Sequence, residues 1–174
     1  MKGQIVKIVS NLYTVNCNGT LYDCHSRGKF RNDKITPVVG DYVVIDEKNK
    51  YILEVETRKN RLIRPMVSNI DQGLIITSVK IPDFSSNLLD KLLTIIEFNN
   101  IKPVICFTKL DLLNEVEQEN LENLRKYYEM IGINCVYNTE TAEIKRLLDN
   151  NIVVLAGQTG AGKSSLLNRL DTEL

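Results

Sequence analysis

The stretch from Ile152 to Ser164, Ile-Val-Val-Leu-Ala-Gly-Gln-Thr-Gly-Ala-Gly-Lys-Ser, decides how the second half of the chain folds. An apolar strand runs directly into a glycine-rich turn, and an amphipathic helix leaves that turn. Residues 157–164 match the pattern G-x-x-x-x-G-K-S in full. Glycines let the backbone curl so that successive N–H groups point inward, and the N-terminus of the following helix adds partial positive charge. The stretch therefore predicts a loop that binds the phosphates of a nucleoside triphosphate.

The polar residues at the end of this phosphate loop have predicted roles. Lys163 would reach the β and γ phosphates, Ser164 would offer its hydroxyl to Mg²⁺ bound with the nucleotide, and Ser165 would donate to the α phosphate. A glycine-rich turn without a ligand would explain the glycines, but not a Lys-Ser pair at this spacing. The predicted phosphate-binding residues are Gly157, Gln158, Thr159, Gly160, Ala161, Gly162, Lys163, Ser164 and Ser165.

Upstream of the phosphate loop, apolar runs typical of buried strands alternate with segments of helical periodicity. The strand-like segments are residues 73–79, 102–108, 133–137 and 152–157, and the helical segments are residues 85–100, 116–132, 141–148 and 162–170. Strands that alternate with helices predict an α/β domain whose parallel sheet is covered on both faces. Its ligands are expected at the carboxyl ends of the strands.

A second motif, Thr108-Lys109-Leu110-Asp111, stands at the end of one of these strands. It resembles the Asn/Thr-Lys-x-Asp guanine motif of GTPases, with Thr108 in place of the commoner Asn. The Asp111 carboxylate can accept from the guanine N1–H and the exocyclic amine together, a donor pair that adenine lacks. The Lys109 stem would lie along the base. Thr108 offers only a hydroxyl where the Asn amide would have bridged to the phosphate loop, which slightly weakens the motif. Taken alone, the motif also reads as a strand end followed by a helix cap.

The order of the two motifs is unusual, because a GTPase ordinarily has its phosphate loop first and its base motif last. Here Asp111 precedes Gly157. Both loops lie at carboxyl ends of strands in one sheet, so a chain that enters the fold elsewhere builds the same pocket. This order predicts a circularly permuted GTPase. An ATP-dependent kinase or ATPase that uses the same phosphate loop is the alternative.

The first part of the chain has a different pattern. Five short alternating or β-branched runs are separated by turn signals, at residues 4–9, 12–17, 20–25, 41–46 and 51–56. No helical periodicity intervenes. Five short strands suit a small closed barrel, because closure removes exposed strand edges. We therefore predict an N-terminal all-β domain with the OB-fold.

Charge is divided between these two parts of the chain. The formal net charge is zero, but residues 1–65 carry twelve Lys or Arg and seven Asp or Glu, while residues 66–174 carry ten and fifteen. The loop between the third and fourth predicted strands holds four cations around an aromatic ring. Such a loop can bind a phosphate backbone while a base stacks on the ring, or it can simply be solvated. The candidate RNA-binding residues are Arg27, Lys29, Phe30, Arg31 and Lys34.

The composition, 43% hydrophobic and 25% charged over 174 residues, is that of a globular protein. No apolar run approaches the roughly 20 residues of a membrane-spanning helix, and the N-terminus lacks the apolar centre of a signal peptide. We therefore expect a cytoplasmic protein with no membrane partner. The four cysteines form no C-x-x-C pair, so we interpret them as buried thiols and assign no metal to them: Cys17, Cys24, Cys106 and Cys135.

Several motifs together resemble the ribosome small subunit-dependent GTPase A family, called RsgA, YjeQ or YloQ. They are GKFR at 28–31, VVGDYV at 38–43, RLIRP at 61–65, SNIDQGLIITSVKIPDF at 68–84, FTKLDLL at 107–113 and GQTGAGKSSLLNRL at 157–170. The resemblance implies an OB-fold that contacts ribosomal RNA, GTP hydrolysis stimulated by the small (30S) subunit, and a late role in maturing that subunit. We expect a monomer. A third interpretation is a passive RNA-binding module, in which the phosphate-loop fold serves only as a docking platform.

The resemblance also shows where this chain departs from the family pattern. Thr139 stands where the family usually has a Ser-Ala contact to guanine, and its backbone N–H would make that contact. The family pattern continues past Leu174 with a switch threonine, an Asp-x-x-Gly loop and a zinc-binding domain, so Zn²⁺ and the catalytic residue are expected there. We predict an RNA-binding domain at 1–62 and a partial GTPase domain at 63–174, a fragment that binds guanine nucleotide weakly and hydrolyses it poorly.

Overall fold

The computed structural model describes residues 1–26 and 35–172. They form two compact units, Met1–Ile70 and Asp71–Leu174. The strands of the first unit are β1 (Lys2–Val9), β2 (Leu12–Cys17), β3 (Thr20–Ser26), β4 (Tyr42–Asp46), β5 (Tyr51–Val55), β6 (Arg61–Leu62) and β7 (Val67–Ser68). The second unit contains β8 (Gln72–Ser78), α1 (Ser86–Phe98), β9 (Lys102–Thr108), a 3₁₀ turn (Leu110–Leu112), α2 (Glu115–Met130), β10 (Asn134–Tyr137), α3 (Thr141–Leu148), β11 (Val153–Ala156) and α4 (Lys163–Thr172).

The first five strands close into a barrel in the order β1-β2-β3-β5-β4, with β1 pairing to both β2 and β4. Alternate residues point inward because successive side chains of a strand face opposite sides. On β2, for example, Tyr13, Val15 and Cys17 are buried. They pack with Ile5 and Ile52 in one apolar core. The five-stranded OB-fold barrel predicted from the sequence is confirmed.

The segment that follows the barrel is attached to it by a buried carboxylate. The side chain of Asp41 is fully buried, and Arg58 donates to both of its oxygens, at 2.7 Å each. The Ser68 hydroxyl donates to the same carboxylate at 2.5 Å, and Asn69 Nδ2 donates to the carbonyl of Gly40 at 2.9 Å. These bonds hold the segment up to Ile70 within the first unit. The domain boundary expected after residue 62 stays a prediction.

The second unit contains a parallel sheet in the order β10-β9-β8-β11. Nearly every residue of β8 and β9 is buried, as expected for strands covered on both faces. Helix α1 packs on β8 and β9, α2 packs on β10, and α3 packs against α4. The predicted α/β domain with a parallel sheet is confirmed. Because all four strands run in one direction, the loops after β9, β10 and β11 leave the same edge of the sheet.

All four cysteines are free and buried, as the sequence predicted. Burial raises the pKa of the Cys106 and Cys135 thiols to about 12 in each case. Within residues 1–26 and 35–172, no helix has the length and apolar character needed to cross a bilayer.

Candidate nucleotide-binding site

The phosphate loop, residues 157–164, connects β11 to α4 and turns sharply at its glycines. Gly157, Gly160 and Gly162 all have positive φ, at +139°, +80° and +98°. At Gly157 the requirement is also steric, because a Cβ there would lie 2.1 Å from the carbonyl oxygen of Ile76 on β8. The loop can therefore pass this close to β8 only with glycine at position 157.

The ammonium group of Lys163 lies inside the curl of the loop. Its Nζ donates to the carbonyl oxygens of Gly157 and Gln158, both at 2.8 Å. Lys163 is also the first residue of α4, so its charge and the unpaired N–H groups of a helix N-terminus meet at one place. Ser164 and Ser165 follow on the first turn and are exposed. This arrangement of a cation, backbone N–H groups and hydroxyls suits the phosphates of a nucleotide.

Thr108 joins the predicted base motif to the phosphate loop. It is the last residue of β9 and only 2% of its surface is exposed. Its hydroxyl donates a 2.6 Å hydrogen bond to the carbonyl oxygen of Ala161. Strand β8 separates β9 from β11 in the sheet, so this contact spans the width of one strand. The structure therefore brings together two motifs that are far apart in the chain.

The remaining residues of the base motif turn away from the strand. Lys109 adopts a left-handed conformation with φ +63°, and its Nζ donates to the carbonyl oxygen of Ile81. Leu110 begins the 3₁₀ turn, and Asp111 follows it with an exposed side chain. Among the residues that the structure describes, the Asp111 carboxylate has no hydrogen-bond or ion-pair partner. Both of its oxygens are available to accept from a ligand.

Thr139, the remaining predicted guanine-binding residue, lies in the turn after β10, at the same edge of the sheet. The N–H of Asn138 donates to Phe107 O, and the N–H of Glu140 donates to Tyr137 O, both at 2.9 Å. The N–H of Thr139, which lies between them, has no partner within the described part of the chain. Thr139 is exposed, and its contact to guanine through this N–H stays a prediction.

Two arginines that hold this turn were missed by the sequence reasoning. On α4, Arg169 Nη1 donates to Asn138 O at 2.9 Å. On α2, the Arg125 guanidinium lies 4.7 Å from the centre of the Tyr137 ring, and Nη1 lies 3.6 Å from a Glu140 carboxylate oxygen. Helical periodicity places both arginines on helices, but no local signal pairs them with a turn elsewhere in the chain.

The candidate RNA-binding residues Arg27, Lys29, Phe30, Arg31 and Lys34 lie outside the described residues. Their assignment stays a prediction. For metals, the part of the chain that the structure covers contains no group of three or more His, Cys, Asp or Glu side chains arranged to hold an ion.

The fold and the arrangement of the two motifs are those of the P-loop GTPase class, with the base motif ahead of the phosphate loop. Family comparisons agree with that class. The family described as RsgA GTPase matches residues 55–174, and the RsgA N-terminal domain matches residues 2–52. The chain belongs to the RsgA GTPase family, as its motifs predicted.

Two relatives show the extent of the match. The protein named small ribosomal subunit biogenesis GTPase RsgA from Enterococcus faecalis is 42% identical over 180 residues, which cover all of this chain and 61% of that protein. The protein of the same name from Streptococcus agalactiae is 43% identical over 177 residues, covering all of this chain and 60% of that protein. The chain thus spans about 60% of the length of these relatives.

Two solved structures share the fold. The crystal structure of YjeQ from Thermotoga maritima superposes with a TM-score of 0.87 at 34% identity, covering 99% of this chain and 66% of that one. The structure of YloQ, described as a circularly permuted GTPase, gives a TM-score of 0.83 at 36% identity, covering 99% of this chain and 64% of that one. The permuted order inferred from the positions of Asp111 and Gly157 agrees with that description.

Proposed function

We propose that this protein binds and hydrolyses GTP and acts in the late maturation of the small ribosomal subunit. The observation that carries the proposal is the hydrogen bond from Thr108 to Ala161, because it sets a guanine-type motif beside a phosphate loop. The names of the relatives, which are small ribosomal subunit biogenesis GTPases, support the cellular role.

The phosphate loop would bind phosphates in the conformation described above. Lys163 Nζ, which bonds to two backbone carbonyls, can donate to phosphate oxygens from the same position. The N-terminus of α4 adds unpaired N–H groups and partial positive charge. Mg²⁺ bound with the nucleotide would neutralise phosphate charge, and Ser164 is the residue of this chain whose hydroxyl would bind it. The proposed Zn²⁺ belongs to the family pattern beyond Leu174 and stays a prediction.

Guanine selection would depend on Asp111, Lys109 and Thr139. The exposed Asp111 carboxylate accepts two hydrogen bonds from guanine, and the Thr139 N–H donates to the guanine O6 carbonyl. Adenine presents an amino group in place of that carbonyl and lacks both donors toward Asp111, so it leaves these groups unpaired. The same geometry argues against an ATP-dependent kinase or ATPase.

Ribosomal RNA would bind to the barrel, through the loop that contains Arg27, Lys29, Phe30, Arg31 and Lys34. Support comes from the excess of cations in residues 1–65 and from the family match over residues 2–52. We further propose that this chain, tested alone, binds guanine nucleotide weakly and turns GTP over slowly, because its assigned residues bind the base and the phosphates rather than the attacking water.

The nucleotide proposal is tested by competition binding. Retention of labelled GTP is measured against excess ATP for the wild type, Asp111→Asn and a matched surface control, Asp171→Asn. We expect GTP to be retained by the wild type and by the control, and to be lost from Asp111→Asn. Equal displacement by ATP and GTP would favour the ATPase or kinase alternative.

The ribosome proposal is tested with purified small subunits at several salt concentrations. Reversing Arg27, Lys29 and Arg31 to Glu should weaken binding to the small subunit. The slope of log affinity against log salt concentration should also become shallower, by about one unit for each phosphate group that the variant no longer binds. Reversing Lys7 and Lys48, two exposed lysines of the first unit that are not among the candidate residues, is the control. Equal affinity with GDP and with a non-hydrolysable GTP analogue would favour the passive RNA-binding module.

A further inference from the structure

The turn after β10 is held from the helix that begins at the phosphate loop. Arg169 lies less than two turns beyond Lys163 on α4, and its guanidinium donates to the carbonyl oxygen of Asn138, 31 residues earlier in the chain. Packing of α4 onto the sheet does not need this contact, because the helix buries Leu166 in the core and Leu170 packs against the same cluster. The exposed Arg169 side chain therefore reaches out of the helix toward a loop.

This contact acts on the peptide unit that contains the Thr139 N–H. The carbonyl of Asn138 and the N–H of Thr139 belong to one planar peptide group, so fixing the carbonyl oxygen also fixes the direction of the N–H. On either side, the N–H groups of Asn138 and Glu140 are bonded to Phe107 and Tyr137. The bond from Arg169 thus orients the one amide of the turn that has no partner among the described residues.

We propose that Arg169 is a positioning residue for guanine recognition, a role that rests on the proposed function. From the helix of the phosphate loop it orients the Asn138–Thr139 peptide so that the Thr139 N–H donates to the O6 carbonyl of the base. Arginine suits this position because its planar guanidinium stays charged and offers several donors at the end of a long side chain.

The chemistry of the base predicts which ligands depend on Arg169. Guanine and hypoxanthine both carry the O6 carbonyl, whereas inorganic tripolyphosphate carries no base. Replacing Arg169 should therefore weaken guanine and hypoxanthine nucleotides equally and leave tripolyphosphate unaffected. Asp111 gives a different pattern, because hypoxanthine lacks the exocyclic amine that the second carboxylate oxygen would accept from. Replacing Asp111 should lower the preference for guanine over hypoxanthine.

Calorimetric titration of the full chain with GDP, inosine diphosphate and tripolyphosphate tests the proposal. For Arg169→Ala we expect about 5-fold weaker binding of both nucleotides, because one charge-assisted hydrogen bond at an exposed site is lost. The affinity for tripolyphosphate should be unchanged. Arg169→Lys keeps a cationic donor and should recover most of the loss. Arg146→Ala is the matched control, since Arg146 is exposed on α3 and pairs with Glu143 on the same helix.

The outcomes separate this proposal from the one on which it rests. Unchanged GDP affinity in Arg169→Ala, alongside a clear loss in Asp111→Asn, would overturn the role of Arg169 and keep guanine recognition. Equal weakening of GDP and tripolyphosphate would also overturn it, because Arg169 would then act on the phosphate loop or on folding. A wild type that binds GDP no better than ADP would overturn the proposed function, and the role of Arg169 with it.

Discussion

The hydroxyl of Thr108 donates to the carbonyl oxygen of Ala161 at 2.6 Å, although the two residues are 53 positions apart in the chain. Thr108 ends β9, and Ala161 is a fully buried residue of the phosphate loop. A single side chain therefore links the base motif to the phosphate loop. In a chain that encodes the two motifs in reverse order, this bond defines their relative position.

Removing the Thr108 hydroxyl should damage both stability and nucleotide binding. Thr108→Val keeps the shape of the side chain but leaves the buried Ala161 carbonyl without its donor, at an expected cost of about 1–3 kcal/mol in the free energy of unfolding. GDP affinity should fall as well. Urea unfolding measures the loss of stability, and calorimetric titration measures the loss of affinity. Thr108→Ser retains the hydroxyl and should bind GDP nearly as the wild type does. Wild-type affinity in Thr108→Val would show that the bond does not position the loop.

Gly157→Ala should abolish phosphate binding for a steric reason. The new Cβ would lie 2.1 Å from Ile76 O at a backbone φ of +139°, so the loop must move away from β8. Gly132→Ala is the control, since Gly132 also has a positive φ, +90°, but within the described residues no heavy atom beyond its chain neighbours lies within 4 Å of the added Cβ. Both variants should lose about 1–3 kcal/mol of stability to backbone strain. Only Gly157→Ala should lose tripolyphosphate binding, and retained binding would contradict the steric argument.

Arg58→Ala should strongly destabilise the barrel and its attached segment. The substitution leaves the fully buried Asp41 carboxylate without its bidentate partner, and breaking a buried ion pair in this way costs about 3–5 kcal/mol. Lys2→Ala removes a surface ion pair with Glu56 and should leave the free energy of unfolding nearly unchanged, because exposed pairs contribute little. Urea denaturation of the two variants, followed by far-UV circular dichroism, makes the comparison. Equal midpoints would refute a stabilising role for the Asp41–Arg58 pair.

Alkaline pH should destabilise the second unit through its buried thiols. Burial raises the folded-state pKa of Cys106 and Cys135 from an ordinary value of 9.0 to about 12, so only the unfolded chain ionises them between these values. Their contribution to stability is complete below pH 9 and is lost as the pH rises toward 12. Double replacement by Ser should flatten this part of the curve of thermal midpoint against pH. An unchanged slope would assign the alkaline loss to other groups.

Local signals in the sequence were sufficient for most of the fold. Alternating runs between residues 4 and 56 predicted the barrel, and the strand–turn–helix pattern around Gly157 predicted the phosphate loop. These features depend on residues close together in the chain, whose periodicity and turn chemistry can be read directly. The order of Asp111 and Gly157 also identified the permutation, because motif order is itself a property of sequence.

Long-range contacts were decided only by the tertiary structure. The bond of Arg169 to Asn138 and that of Thr108 to Ala161 depend on which strands are neighbours and on the direction of each loop. The extension of the first unit to Ile70 likewise depends on the buried carboxylate of Asp41, which collects donors from Arg58 and Ser68. Sequence determined the elements and their chemical groups, whereas packing determined their partners, because hydrogen bonds require distances and directions that exist only once the chain has folded.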